Sequence, residues 1–188
     1  MTRRDLLKLI TIATGSALVG GELLFTACSP DRRGYASPNF TKADVDLLNE
    51  IGETILPRTT TPGAKDADVG EFMTKVVDNC YFEQDSTTFH GGLKEIDAQA
   101  QSRFQTGFMK LTPEQRTQML TEIDTEARSY ERPEGGPPHY FTLIKQLTLF
   151  AFFTSEIGQT KVLRHVAIPG RYDGNMDYNP GDPAWAVN

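Results

Sequence analysis

Residues 140–157 read YFTLIKQLTLFAFFTSEI, and the reading of this run decides the fold. At helical spacing Phe141, Ile144, Leu147 and Ala151 share one face, while Leu143, Phe150 and Phe153 fall on others. A helix that is apolar nearly all round belongs at the centre of a domain, buried by its neighbours. A membrane span is the poorer reading, because Lys145, Gln146 and Glu156 interrupt a run barely long enough to cross about 30 Å of hydrocarbon. Gly158 stands where a C-cap is expected. Beyond it, Ile168-Pro169-Gly170-Arg171-Tyr172-Asp173-Gly174 and Asn179-Pro180-Gly181-Asp182-Pro183 carry turn chemistry with neither helical nor strand period. The C-terminal tail is therefore expected to be extended and looped.

Working back toward the N-terminus, four further helices are expected. Thr41 is an N-cap for a helix over 42–56, whose face is Val45, Leu48, Ile51 and Ile55 and which stops before Pro57. A linker over 58–65 precedes a second helix, about 68–80, with Val69, Phe72, Met73, Val76, Val77 and Cys80 at spacings of three and four. The third, 86–104, carries Phe89, Leu93, Ile96, Ala100 and Phe104, with a loose start at Gly91-Gly92. The fourth has the clearest beginning: Thr112 as N-cap, Pro113 in the first position and Gln115 closing a capping box. Residues 132–138, RPEGGPP, end it and lead into the central helix. Nothing in this order points to a sheet or a repeat. The expected fold class is all-α, a small bundle of about five helices around a buried one, with the looped tail attached.

The first 27 residues read differently. Arg3 and Arg4 stand in a basic n-region, followed by a weakly apolar stretch diluted by Gly15, Ser16, Gly20 and Gly21. This is an export signal of the twin-arginine type. It ends in Leu24-Phe25-Thr26-Ala27-Cys28, which resembles a lipobox with Phe25 in place of the usual Leu, making Cys28 the candidate lipidation site. A cleaved signal without lipid, or an uncleaved anchor, are the competing readings; Glu22 and the glycines make the anchor the weaker. Residues 28–40 then form a polar tether, and 41–188 the helical domain. The chain's net charge is −6; the leader holds three basic and two acidic residues, so its removal leaves −7. That sign argues against nucleic acid as a partner. The twin-arginine route exports folded proteins, a need that arises when a cofactor is loaded beforehand. With no cofactor site in evidence here, a partner protein is the candidate passenger.

The sequence carries none of the usual signatures of a catalytic or metal centre. His90, His139 and His165 lack the paired spacing of a zinc site and read as surface or capping residues. No Cys-x-x-Cys-His haem motif and no glycine fingerprint after a strand is present. Cys80, on the apolar stripe of the second helix, reads as a buried thiol ahead of an intermolecular disulfide. Asp173, Asn175 and Asp177 resemble the start of a calcium loop, but the sixth-position glycine and closing glutamate are absent, and turn-forming roles are preferred.

Thr154-Ser155-Glu156-Ile157-Gly158, Leu163-Arg164, Pro169-Gly170-Arg171-Tyr172-Asp173-Gly174, Pro180-Gly181-Asp182 and Ala184-Trp185-Ala186, together with the upstream Ile55-Leu56-Pro57, Thr61-Pro62-Gly63-Ala64, Gly92-Leu93 and Asp97, resemble the gluconate 2-dehydrogenase subunit 3 family. The resemblance implies a small, non-catalytic subunit that binds no cofactor itself. Its partner would be a large subunit of the glucose-methanol-choline (GMC) type, which holds FAD and oxidises a sugar, sugar acid or glycoside. A cytochrome c subunit carrying haem c, or a quinone, would accept the electrons. The small subunit would supply the export signal and stabilise the pair on the periplasmic side of a bacterial membrane. The lipobox departs from this pattern and would add an anchor at Cys28. Arg171, Tyr172, Asp173 and Trp185 are the candidate partner-interface residues: rings bury large area at little entropic cost, and a guanidinium pairs in a planar fork. The alternative for Trp185 is a lid packed on its own helices. A second function class also stands, a free-standing lipoprotein interaction module without a flavoenzyme.

Overall fold

In the computed structural model, residues 37–177 and 179–187 are described. Helix α1 is Lys42–Ile55. Its capping box is complete, the Thr41 hydroxyl accepting from Asp44 N at 3.3 Å and the Asp44 carboxylate from Thr41 N at 2.7 Å. The linker that follows is held tightly. Glu53 accepts from the backbone N–H groups of Arg58 and Lys65, both at 2.9 Å, and Asp66 accepts from that of Gly63 at 2.8 Å. A side chain at residue 63 would begin 2.5 Å from the Glu53 carboxylate, so only glycine lets that carboxylate grip the loop. A short 3-10 turn, Ala64–Ala67, and Asp68 in the left-handed region (φ 49°) then lead into α2, Val69–Cys80.

Asp68 gives α2 no side-chain cap. The capping oxygen comes from α1 instead, Asn49 accepting from Gly70 N at 2.8 Å. Helices α1 and α2 approach so closely that a Cβ at Gly70 would lie 2.5 Å from the Val45 carbonyl. Cys80 is exposed, contrary to the buried thiol expected. The stripe it continues runs past the edge of the core, where Val77 is the last buried residue of α2.

Helix α3, Glu83–Phe104, starts one turn earlier than expected, its first turn carrying Glu83 and Asp85 where the helix dipole favours anions. Gly91 and Gly92 lie inside it rather than at a loose start. Gly92 earns its place through packing: a Cβ there would be 2.6 Å from the Tyr140 ring. Phe89, Leu93, Ile96 and Ala100 are buried as the period predicts. After Gln105 (φ 56°) and the 3-10 turn Phe108–Lys110, whose Phe108 N donates to Asp97 at 2.9 Å, the capping box of Thr112 and Gln115 opens α4, Pro113–Ser129.

Helix α5, Tyr140–Thr154, is the central element; it packs against α1, α2, α3 and α4 and buries Phe141, Leu143, Ile144, Leu147, Thr148, Ala151 and Phe152. Two details differ from expectation. The helix ends at Thr154, because Ser155 turns extended and its hydroxyl accepts from Gly158 N at 3.0 Å. Gly158 is thus no C-cap. It opens a wide helical turn, Gly158–Val162, and a Cβ there would fall 2.0 Å from the Phe152 carbonyl oxygen. Phe150, moreover, remains 55% exposed.

The tail is looped, as its turn chemistry predicts, but its two ends pair. Arg164–Val166 (β1) and Trp185–Val187 (β2) form a parallel ladder in the register Arg164 to Trp185, His165 to Ala186 and Val166 to Val187. Gly170 (φ 73°) and Gly181 (φ 97°) each follow a proline and turn the chain between them, Asp182 N closing the second turn on Asn179 O at 3.0 Å. Three-residue strands are too short for a period to show in the sequence.

Candidate partner interface

Beyond the turn Gly158–Val162 the chain presents side chains more than it buries them. Tyr172 is 96% exposed and Trp185 47%, while Ala186 between the exposed Trp185 and Val187 is the buried residue of β2. The Arg164 guanidinium lies 4.6 Å from the centre of the Trp185 ring, so the indole stacks on a tail residue. Arg171 pairs with Asp173 at 3.4 Å, and Asp173 also accepts from Asn175 N at 3.2 Å. Asn179 in turn donates to Asp182 at 3.3 Å. Carboxylates and amides here shape turns, the role preferred for them. Asp173 and Trp185 line a shared cavity of about 300 Å³, together with Arg164, Met176, Asp177 and Asp182. Arg171 joins them through its ion pair, and Tyr172 does not line that cavity. Arg3, Arg4 and Cys28, and with them the leader and most of the tether, lie outside the described residues.

A second exposed aromatic feature was not foreseen. Phe150 of α5 meets Phe72 of α2 with ring centres 5.8 Å apart. Gln146, also exposed, precedes Phe150 by one helical turn, so that stripe of α5 faces outward.

Behind these surfaces, ion pairs fix the helices. Glu50 of α1 pairs with Arg116 of α4 and with Lys65. Asp124 of α4 meets Lys145 of α5 at 2.5 Å and Arg128 at 2.7 Å. The hydrogen bond from Lys145 leads in holding the Asp124 carboxyl below the usual carboxylate range, so this contact stabilises the fold at neutral pH and is lost as acid protonates it. His139, 8% exposed, caps α5 through its ring, accepting from Phe141 N at 3.2 Å, a capping role of the kind expected. His90 stacks on Phe40 at 4.1 Å, and His165 lies beside Gln159. Among the described residues no three His, Cys, Asp or Glu side chains converge as a metal site would require, and no helix is long and apolar enough to cross a membrane.

The model of one family, gluconate 2-dehydrogenase subunit 3, matches residues 42–170, from the start of α1 through the Pro169-Gly170 turn. The chain belongs to the gluconate 2-dehydrogenase subunit 3 family. No curated protein and no solved structure matches it. The matched span contains the loop that Glu53 grips, the Gly92 contact with Tyr140 and the locked turn at Gly158. Tyr172 and Trp185 lie beyond it. By its description the family is that of a dehydrogenase subunit, which places the chain in a gluconate dehydrogenase complex as an accessory subunit.

Proposed function

We propose that this subunit is non-catalytic and serves a membrane-associated, FAD-dependent GMC-type dehydrogenase acting on a sugar, sugar acid or glycoside. It stabilises that catalytic subunit and carries it through the twin-arginine pathway as a folded companion. The observation that carries the reading is membership in a subunit family combined with a tail that is folded yet leaves Tyr172 and Trp185 exposed. FAD belongs to the large subunit in this scheme, and haem c, where present, to a third chain. Cys28 anchors the complex on the periplasmic side through its lipid.

Two experiments test this. Tyr172→Ala and Trp185→Ala, each in a chain whose helices are intact by circular dichroism, are expected to weaken recovery of a flavoprotein partner from native membranes. Loss of a hot spot costs about 2 kcal/mol or more, a factor of tens in affinity. Recovery unchanged in both variants would exclude the tail as the interface. No flavoprotein recovered with the wild type would favour a free-standing lipoprotein module instead.

The second experiment is fractionation. Arg3→Lys with Arg4→Lys should strand this chain and the flavoprotein together in the cytoplasm. Cys28→Ala should release the exported domain from the membrane, since several acyl chains anchor stably where one is marginal. A large subunit exported normally beside the double mutant defeats the companion role. Absence of labelled palmitate on the wild type defeats the anchor.

A further inference from the structure

The connector between α4 and α5, residues 130–138, is exposed from 130 to 135, and the first buried residue after it is His139. The imidazole Nδ1 accepts from Phe141 N at 3.2 Å, which requires a lone pair on Nδ1 and places the ring proton of the neutral form on Nε2. The backbone carbonyl of the same residue takes the N–H groups of Thr142 at 3.0 Å and Leu143 at 3.4 Å. The first turn of α5 thus closes on one residue, and the connector is fastened at that point. A further tie is a long contact from Gln84 to the Gly135 carbonyl, 3.5 Å, and residues 136–138 are half-buried.

A proton on Nδ1 would turn the acceptor into a donor facing a donor. It would also put a cation at the positive end of the α5 dipole. The surroundings offer little compensation. From α4, Glu126 stands 3.9 Å from Nε2 but is largely in solvent, where such a pair is weak. Tyr130, at the end of α4, meets the ring edge-on at 5.4 Å, and Tyr140 lies 4.3 Å away, its phenol pushed up to about 12 mainly by burial and therefore neutral. From α3, Glu95 and Arg103 act on Tyr140, and Gln99 bonds its hydroxyl at 3.4 Å. The connector's own charges, Glu131, Arg132 and Glu134, are exposed, and Arg132 is bonded to the Gly136 carbonyl.

We propose that His139 is an acid-sensitive latch: uptake of a proton by its imidazole opens the cap of α5 and loosens the junction between the connector 130–138 and the first turn of that helix. The direction follows from linkage. Burial lowers the proton affinity of the folded imidazole below its ordinary value. The open form therefore binds more protons below about pH 6.5, and closure is complete only above that point.

The test is amide exchange in the full chain, followed by NMR and corrected for the intrinsic effect of pH. Protection at Phe141, Thr142 and Leu143 is expected to fall roughly tenfold per pH unit, the slope of one proton, from about pH 6.5 down to the lower value at which the folded imidazole itself protonates, while amides of α1 keep theirs. His139→Asn keeps a capping carbonyl that cannot titrate, and should flatten the slope. A flat wild-type profile, an unchanged slope in His139→Asn, or equal loss throughout α1 would overturn the latch. Should the variant fail to fold, the wild-type imidazole decides: it must titrate below its ordinary value, with the Phe141 amide shifting in step. Titration at or above that value, with the amide unmoved, overturns the proposal.

Discussion

Phe89→Ala is expected to lower the unfolding free energy by about 3–5 kcal/mol, a large part of the roughly 5–15 kcal/mol that holds a domain folded. The ring is wholly buried and stands edge-on to two others, Phe40 at 6.1 Å and Tyr81 at 6.2 Å. It therefore joins three parts of the chain: the segment entering α1, the residue ending α2, and the body of α3. That entering segment is held on its other side by Ser37 and Asn39, both bonded to Asp78 of α2. Collapse of the cavity would require all three parts to shift, and the polar ties at Asp78 resist it. Urea titration of the full chain, read by circular dichroism, measures the loss. Phe89→Leu, which leaves a smaller void, should cost markedly less. A loss under about 1 kcal/mol for the alanine variant would mean that the site relaxes freely and that these contacts do not set the packing.

Removing Glu50 comes next in size. The Glu50 and Arg116 side chains are 15% and 13% exposed, and Arg116 also bonds the carbonyls of Phe108 at 3.3 Å and Met109 at 2.8 Å. Its guanidinium lies 5.6 Å from the centre of the Phe108 ring. Glu50→Ala strands this cation in a site closed by α1, the turn Phe108–Lys110 and α4, at an expected cost of about 2–3 kcal/mol, just under the range for fully buried pairs. Lys65, the other partner, is 45% exposed, so Lys65→Ala should cost less than about 1 kcal/mol. The double change Glu50→Gln with Arg116→Met should recover much of the loss, because it removes the stranded charge itself. A double-mutant cycle with no coupling between the two sites would refute the pair's role in holding α1 to α4.

Where structure follows from neighbours in sequence, the sequence alone was enough. Both N-caps were legible, Thr41 and Thr112, and so was the capping box that Gln115 closes at Thr112, because each is satisfied within four residues. The burial of α5 was legible because apolar residues surround it. What failed depends on distance. The sequence makes Gly92 look like a helix breaker, and only the Tyr140 ring from another helix explains it. Gly158 looks like a cap, yet its cause is the Phe152 carbonyl pressed against it. Cys80 continues a periodic stripe, and nothing local marks where the core beneath that stripe ends. The tail aromatics were legible as residue types, but the pairing of Arg164 with Trp185 joins segments with the whole tail between them. Phe150 was hidden by the richness of its own helix, since one exposed ring does not stand out in a run so apolar.

That parallel pairing turns residues 167–184 from a strand end into a ring. The entropy of bringing its ends together is met when the subunit folds, so a partner seating on Tyr172 or Trp185 has less chain to order at the moment of contact. The ring is also joined closely to the core. Its first strand begins one residue after the turn Gly158–Val162, and that turn lies close against the end of α5 at Gly158. The indole of Trp185 thus connects by contact through Arg164 and this turn to the helix on which the core is packed. Among the described residues, the exposed ring is in this way joined by direct contacts to the buried helix at the centre of the core.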